Sequence, residues 1–445
     1  MTFAHEAVLA HGLGGSTDLP VPLGYALVGA AWALTFTFAI VALAWRKPRF
    51  DPDKPGRPLP EVLTRIVDSA VTRWTVALLG LALAVWVLAA GFFGPQNSKN
   101  PLPGAFYVLL WVGLVAVSLT VGPIWRVLSP MRTLFRISLS HLQFRRLNYP
   151  KPLGYYPAAL GLFAFVWLEL ASPDPGSLFA VKLWLLVYAV VMATGAAVWG
   201  TRWFARADPF EVYSIVASRL SPLRRDSQTR RIVVGNPFDH LPSLPVRPGI
   251  VAVLAVLLGS TAFDSFSATP GWRSFVSDMS GHSAVMATLI KTCGLGVFAL
   301  VVAATFSLAA CATGGVDRTQ RRALPGQMAH SLVPIVVGYI FAHYLSYLVE
   351  RGQQTMILLG DPLGHGWNLF GLSHAQVSYV LSSHPSVLAT IKVTCVVAGH
   401  IAAVVAAHDK ALRLLPRGHQ LTGQLAMMLV MVGYTFTGLY LLFGG

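Results

Sequence analysis

The stretch GYIFAHYLSYLVERG, residues 338–352, is apolar enough for a membrane yet carries His343, Tyr347 and Glu350. On a helix these three stand at i, i+4 and i+7, so all project from one face. An imidazole beside a phenol and a carboxylate is equipment for moving protons: a general base, an ion-coupling relay or part of a ligand set. Glu169, Lys182, Asp264, Lys291, Lys392 and His400 interrupt other apolar runs in the same way.

The elements that hold these residues are membrane spans. Of 445 residues, 55% are hydrophobic and only 11% charged, too few charges to cover a water-facing surface. Runs of about 18 or more apolar residues recur along the whole chain, the length of a helix crossing a ~30 Å hydrocarbon core. Spans are expected near 22–45, 74–94, 105–124, 155–172, 177–200, 249–266, 284–311, 326–350, 386–408 and 420–443. The fold class is therefore all-α, a polytopic membrane bundle of about ten transmembrane helices.

A net charge of +15 at first points to nucleic acid, but the placement of the charges points to topology instead. Of 33 Lys and Arg, 27 fall in alternate connections, three in the opposite set (Lys99, Arg273, Arg351) and three inside spans (Lys182, Lys291, Lys392). Basic loops stay cytoplasmic. Both termini are then expected outside, and the polycation's partner is membrane lipid, with no nucleic acid. The layout is an extracytoplasmic tail (1–21), helices 1–5 (22–200), a cytoplasmic loop (201–248) and helices 6–10 (249–445) with an outer loop at 351–385. The first 20 residues lack a basic n-region and an apolar h-region, so the first span is read as an uncleaved anchor. Cys293, Cys311 and Cys395 lie in spans and read as packed thiols rather than a disulfide framework. Within the loop 201–248, RWFARADPFEVYSIVASRLSPLRRD reads either as an amphipathic helix on the leaflet or as a solvated connector.

The C-terminal half echoes itself. ATLIKTCGLGVFALVV (287–302) resembles ATIKVTCVVAGHIAAVV (389–405), and the following spans share V-G-Y-x-F at 337–341 and 432–436. A helical hairpin used twice in parallel orientation accounts for this, with a fainter trace in helices 5 and 6.

Depth groups the titratable residues. At 1.5 Å per residue, Lys182, Lys291 and Lys392 lie roughly 8–12 Å below the outer helix ends and His343 about 10 Å, with Glu169, Asp264 and Glu350 nearer the rim. Lysines at that depth either snorkel to the headgroups or face a wet interior. His343 cannot snorkel far, so it is expected in the bundle interior beside Asp264 and at least one of Lys291 and Lys392. The loop 351–385 adds Asp361, His365, His374 and His384; it is long and partly apolar, fit to fold back over the helices. The tail adds His5, Glu6 and His11, and the loop 267–283 adds Asp278 and His282. His with carboxylates is the ligand set of Zn²⁺ or a similar divalent ion, although no fixed spacing such as H-E-x-x-H occurs. His400 and His343 differ by about 10 Å in depth, too far for a shared haem. His408 reads as a cytoplasmic helix end. No Walker A, G-x-S-x-G, Cys-x-x-Cys or strand-linked G-x-G-x-x-G occurs, which leaves nucleotide-driven transport and dinucleotide chemistry without support.

Several longer runs carry a resemblance: HGLGGSTDLPVP, NPLPGAFYVLLWVGLV, WRVLSPMRTL, DPFEVYS, LLGSTAFDSF, AHSLVPIVVGYIFAHYLS, DPLGHGWNLFG and GHIAAVVAAHDKAL. From about residue 10 to the C-terminus the chain resembles a bacterial multi-pass membrane family that bears the name fenitrothion hydrolase. The resemblance implies hydrolysis of an organothiophosphate triester with release of a nitrophenol. The substrate would be an apolar small molecule that enters the pocket from the bilayer. Such chemistry needs an activated water and positive charge for the phosphorane-like transition state. For that role depth and residue type select His343 and Asp264 as base or ligands, His11 and Asp361 as further metal ligands, and Lys291 or Lys392 as the cation. An ion-coupled permease fits the same intramembrane residues, with His400 and Thr394 on its path. A non-catalytic metal-binding membrane subunit is the third reading.

Overall fold

Apolar runs of this length fold as helices because a lipid-facing backbone has no solvent to satisfy its N–H and C=O groups. The computed structural model describes residues 15–139, 147–281 and 283–444, and within them ten helices have the length and composition to cross a membrane. They are α1 (Leu23–Ala44), α2 (Ala70–Phe93), α3 (Leu102–Val121), α4 (Lys151–Leu170), α5 (Leu178–Trp199), α6 (Ile250–Ser267), α7 (Ala284–Cys311), α8 (Arg318–Leu359), α9 (Pro385–Leu414) and α10 (Thr422–Phe443). The chain is a multi-pass, all-α membrane protein. Exposed Leu, Val, Ile and Phe on the outer faces of α1, α2, α5 and α7 make its lipid surface.

Two helices form the axis. α6 and the middle of α8 are buried almost all round, and α6 packs on α4, α7 and α8. α8 runs against α9 through a glycine crossing: a Cβ on Gly338 would stand 2.5 Å from the Cys395 carbonyl oxygen, and one on Gly399 would stand 2.6 Å from that of Pro334. Only glycine lets the backbones approach so closely, and close approach is what holds helices together in lipid. α1 packs on α9 and α10.

The connections at 94–101, 171–177, 268–283 and 360–384 share one end, called upper here; the basic connections share the other. The upper loops touch where a Cβ on Gly94 would meet the Pro362 carbonyl oxygen. At the lower end a small antiparallel sheet, which no sequence pattern indicated, joins β1 (Arg57–Pro58), β2 (Leu223–Arg225) and β3 (Ile232–Val234) in the order β1-β3-β2. Arg57 pairs with Val234, and Arg224 with Val233. His408 and Asp409 end α9 there but are buried: Asp409 accepts the Trp45 indole N–H, and His408 Nε2 meets the Trp45 carbonyl at 3.0 Å.

Two expectations need correction. The segment after α5 neither lies on a leaflet nor dissolves in water: its helices Thr201–Ala207 and Pro209–Ala217 are built into the bundle against α3, α4 and α5. Tyr213 stacks on Trp111 at 4.8 Å, and Glu211 is neutralised by Arg132, whose Nε donates at 3.2 Å. Asp208 caps the second helix and accepts from Trp125 Nε1 at 3.0 Å. The charges that looked solvent-facing are thus paired inside.

The two echoed hairpins share sequence but have different neighbours. α7 lies along α6 and α10 and meets α8 at Arg318–Met328, whereas α8 from Val333 onward lies along α9. Finally, Cys293 is exposed on α7 rather than packed, and none of the three cysteines is in a disulfide.

Candidate functional site

α6 ends its buried run with Asp264 and Ser265 in succession, and α8 presents His343 and Tyr344 to them. Asp264 Oδ2 accepts from Tyr344 Oη at 2.8 Å and meets His343 Nε2 at 2.9 Å. The other ring nitrogen, Nδ1, meets Ser265 Oγ at 3.2 Å. His343 is fully enclosed and Asp264 only 6% exposed. Below the ring, the Tyr339 hydroxyl donates to the Gly438 carbonyl, and Glu169 of α4 lies within electrostatic range of Tyr344 and Tyr347.

The hydrogen bonds define a chemical state. With His343 neutral, the carboxylate fixes the proton on Nε2 and leaves the Nδ1 lone pair toward the Ser265 hydroxyl. That chain of carboxylate, imidazole and hydroxyl has the roles of a hydrolytic triad, recognised by function rather than by position. With His343 protonated, the same contact becomes a buried ion pair, the usual way a bundle interior tolerates a carboxylate. Either way the imidazole can take or give a proton.

α8 widens into a π-helix over Tyr347–Arg351, beside a second π segment in α3 at Ala105–Gly113. Such segments often mark functional sites. Within the bulge Glu350, buried in its turn, accepts from Ser382 Oγ at 2.7 Å and from the Ser382 backbone N–H at 2.9 Å. Gln353 exchanges hydrogen bonds with Ser378 in the same way. The far part of the loop 351–385 is thereby tied back to α8, while its first nine residues continue the helix.

His343 and Asp264 come together as the sequence indicates; the three lysines do not join them. Among the described residues no lysine forms an ion pair with Asp264. Lys392 is buried to 1% exposure, its Nζ has no hydrogen-bond partner among the described residues, and Asp18 acts on it electrostatically. Lys291 is half-buried on α7. Lys182 reaches the upper rim, 3.4 Å from both the Gly91 carbonyl and Gln96 Oε1, as a snorkelling side chain does. Thr394 faces outward and bonds back to the Thr390 carbonyl, off any interior path, whereas His400 is buried.

Among the described residues the candidate metal ligands do not converge. Both ring nitrogens of His343 are engaged, and Asp361 sits in the upper loop accepting backbone N–H groups of His365 and Gly366 at 3.0 and 2.9 Å. Burial slightly opposes ionisation of Asp361, but these donors hold its carboxyl below the usual range. His365, His374 and His384 are exposed and scattered, and no three metal-ligating groups converge among the described residues. His11, with His5, Glu6 and His282, lies outside the described residues.

Ser265 and Tyr344 are the functional candidates that sequence reading missed. Each adjoins a residue already singled out, in the pairs Asp264-Ser265 and His343-Tyr344, and that adjacency was the available signal.

These features define a class: a multi-pass helical membrane protein with a buried imidazole–carboxylate centre towards one end of the bundle. No protein family, curated protein or solved structure matches the chain.

Proposed function

We propose that the protein is a membrane-embedded hydrolase of apolar phosphotriesters of the fenitrothion type, working at the Asp264–His343 centre. The supporting observation is the hydrogen-bonded chain from Asp264 through His343 to Ser265. Asp264 orients the ring; Nδ1 removes a proton from a water through, or in place of, the Ser265 hydroxyl. The water oxygen forms a bond to phosphorus, the bond from phosphorus to the nitrophenol oxygen breaks, and the leaving group takes up a proton. General-base assistance of this kind contributes about 10²–10⁴-fold. Lys392 stands near the same depth and is the candidate cation for transition-state charge, with Lys291 second. The basic connections support an orientation in a bacterial cytoplasmic membrane with the upper end and both termini outside.

The test is turnover of fenitrothion by purified protein in nanodiscs, followed by nitrophenolate absorbance. His343→Ala is expected to lower the rate by about 10²-fold or more while the variant still purifies as a monodisperse species. Wild-type protein without turnover, or His343→Ala at full rate, would overturn the reading. An ion-coupled permease is the second reading, supported by the intramembrane Lys392 and His400. Substrate accumulation in vesicles without nitrophenol release would move the assignment there.

A further inference from the structure

Three buried nitrogens in and beside the α8–α9 interface have no hydrogen-bond partner among the described residues: Lys392 Nζ, His400 Nε2 and His330 Nε2. Their residues are 1%, 1% and 3% exposed. Each is a group that lipid-embedded protein normally either pairs or replaces by an apolar residue, since an unsatisfied buried polar group costs about 1–3 kcal/mol.

Their depths follow from the glycine crossing. Gly338 sits beside Cys395 and Gly399, and Pro334 beside Gly399. Continuing this antiparallel register puts His343 level with about residue 390 of α9, hence near Lys392, and His330 level with about residue 403. Lys392 and His400 are roughly 12 Å apart along α9, and His400 and His330 about 5 Å apart in depth. His330 also lies close to the Ala406 carbonyl and to Lys410, on the last turns of α9. The three nitrogens thus divide the membrane from the level of the Asp264–His343 centre to the basic end.

The charged surroundings are sparse. Among the described residues Asp18 is the charge that acts on Lys392, and Lys410, flanked by Asp409 and Arg413, the one that acts on His330. Among the described residues no charged group acts on His400. His400 Nδ1 meets the Val396 carbonyl at 2.8 Å and His330 Nδ1 the Gln327 carbonyl at 3.2 Å. Both contacts hold the proton on Nδ1; Nε2 of His400 is left open, and that of His330 faces the Ala406 carbonyl.

From this geometry we infer that the α8–α9 interface is a proton path across the membrane, running through Lys392, His400 and His330. A proton binds the Lys392 amine and passes through a short file of waters to Nε2 of His400. From the same nitrogen it continues to Nε2 of His330 and leaves toward Lys410. Each ring returns to its Nδ1–H form, and no electron or covalent group moves. Waters that bridge polar groups are nearly as favourable as direct hydrogen bonds and cost about 0–2 kcal/mol each to immobilise. The path is independent of the hydrolase reading, although its upper end lies at the depth of that centre.

The test uses purified full-length protein in liposomes loaded with pyranine, with a valinomycin-set potassium gradient as the driving force and no phosphotriester present. Wild-type vesicles are expected to change internal pH several-fold faster than protein-free vesicles, and Lys392→Met, His400→Leu and His330→Leu to remove roughly tenfold or more of the excess. His400→Gln and His330→Asn keep polarity without titrating; they substitute for the leucine variants should those fail to run as monodisperse species. His374→Ala, in the exposed loop, keeps wild-type flux. Wild-type flux equal to that of protein-free vesicles, or His400→Gln at wild-type flux, overturns the inference.

Discussion

Lys291 and Lys392 stand in near-identical sequence, ATLIK and ATIK, yet one is half-exposed and the other sealed at 1% exposure. Their partner spans diverge likewise. Gly338 lies pressed on Cys395 and Gly399, whereas a Cβ on Gly433 would meet nothing within 4 Å. Tyr339 ties α8 to α10 through the Gly438 carbonyl, while Tyr434 ties α10 to α7 at Thr305 Oγ1, 2.6 Å away. Two segments of similar composition thus have different neighbours. The reason is local: Gly399 in the second segment faces Gly338 and lets α9 close on α8, and α7 has no such partner on α8. In lipid, where apolar side chains gain little from leaving the solvent, small residues decide which helices meet.

The largest effect expected from this contrast is at the glycines. Gly338→Leu forces a side chain into the Cys395 backbone and should cost about 3 kcal/mol or more, seen as a collapse of thermal stability in detergent. Gly433→Leu should stay within about 0.5 kcal/mol, because its site is open. Equal losses at both positions would break the distinction between the two pairs.

The lysines come next. Lys392→Met removes a buried amine with no partner among the described residues and should raise stability by about 1–2 kcal/mol, read as a higher melting temperature. Lys291→Met should leave it unchanged within about 0.5 kcal/mol. A fall in stability for Lys392→Met would mean that the ammonium has a strong stabilising partner after all.

The smallest expected effects sharpen the comparison. Tyr339→Phe removes one hydrogen bond between helices and Tyr434→Phe two, to Thr305 and the Val302 carbonyl, at a cost of about 1 kcal/mol per bond. Because the two hydroxyls join different helix pairs, their costs should add in the double variant, as measured by thermal unfolding.

Span positions were legible because a 20-residue apolar run has few alternatives to a membrane helix. α8 runs nine residues past Glu350 because RGQQTMILL, despite its polar start, continues the helical period. The pairing of His343 with Asp264 was also legible, since an imidazole at that depth needs a partner and few polar groups share its level. The lysine environments were not, for they depend on a glycine contact between helices, which one sequence does not reveal. Nor was the burial of the helix Pro209–Ala217: Glu211 reads as a surface residue until Arg132, 79 positions away, is brought against it. Strands of two or three residues carry no periodicity at all, so the small sheet had no signature.

The docking of α1 bears on how the protein is made. Its neighbours are α9 and α10, and its lower end is clasped by Asp409, some 360 residues later in the chain. At ribosomal speeds of about 5–20 residues per second, the first helix waits roughly 20–70 seconds in the bilayer before its partners exist. During that interval the nascent chain holds an unclaimed helix, and assembly closes only when the last pair is inserted. A chain shortened before α9 leaves the bundle unable to capture its own first segment, so such truncations are natural substrates for membrane quality control.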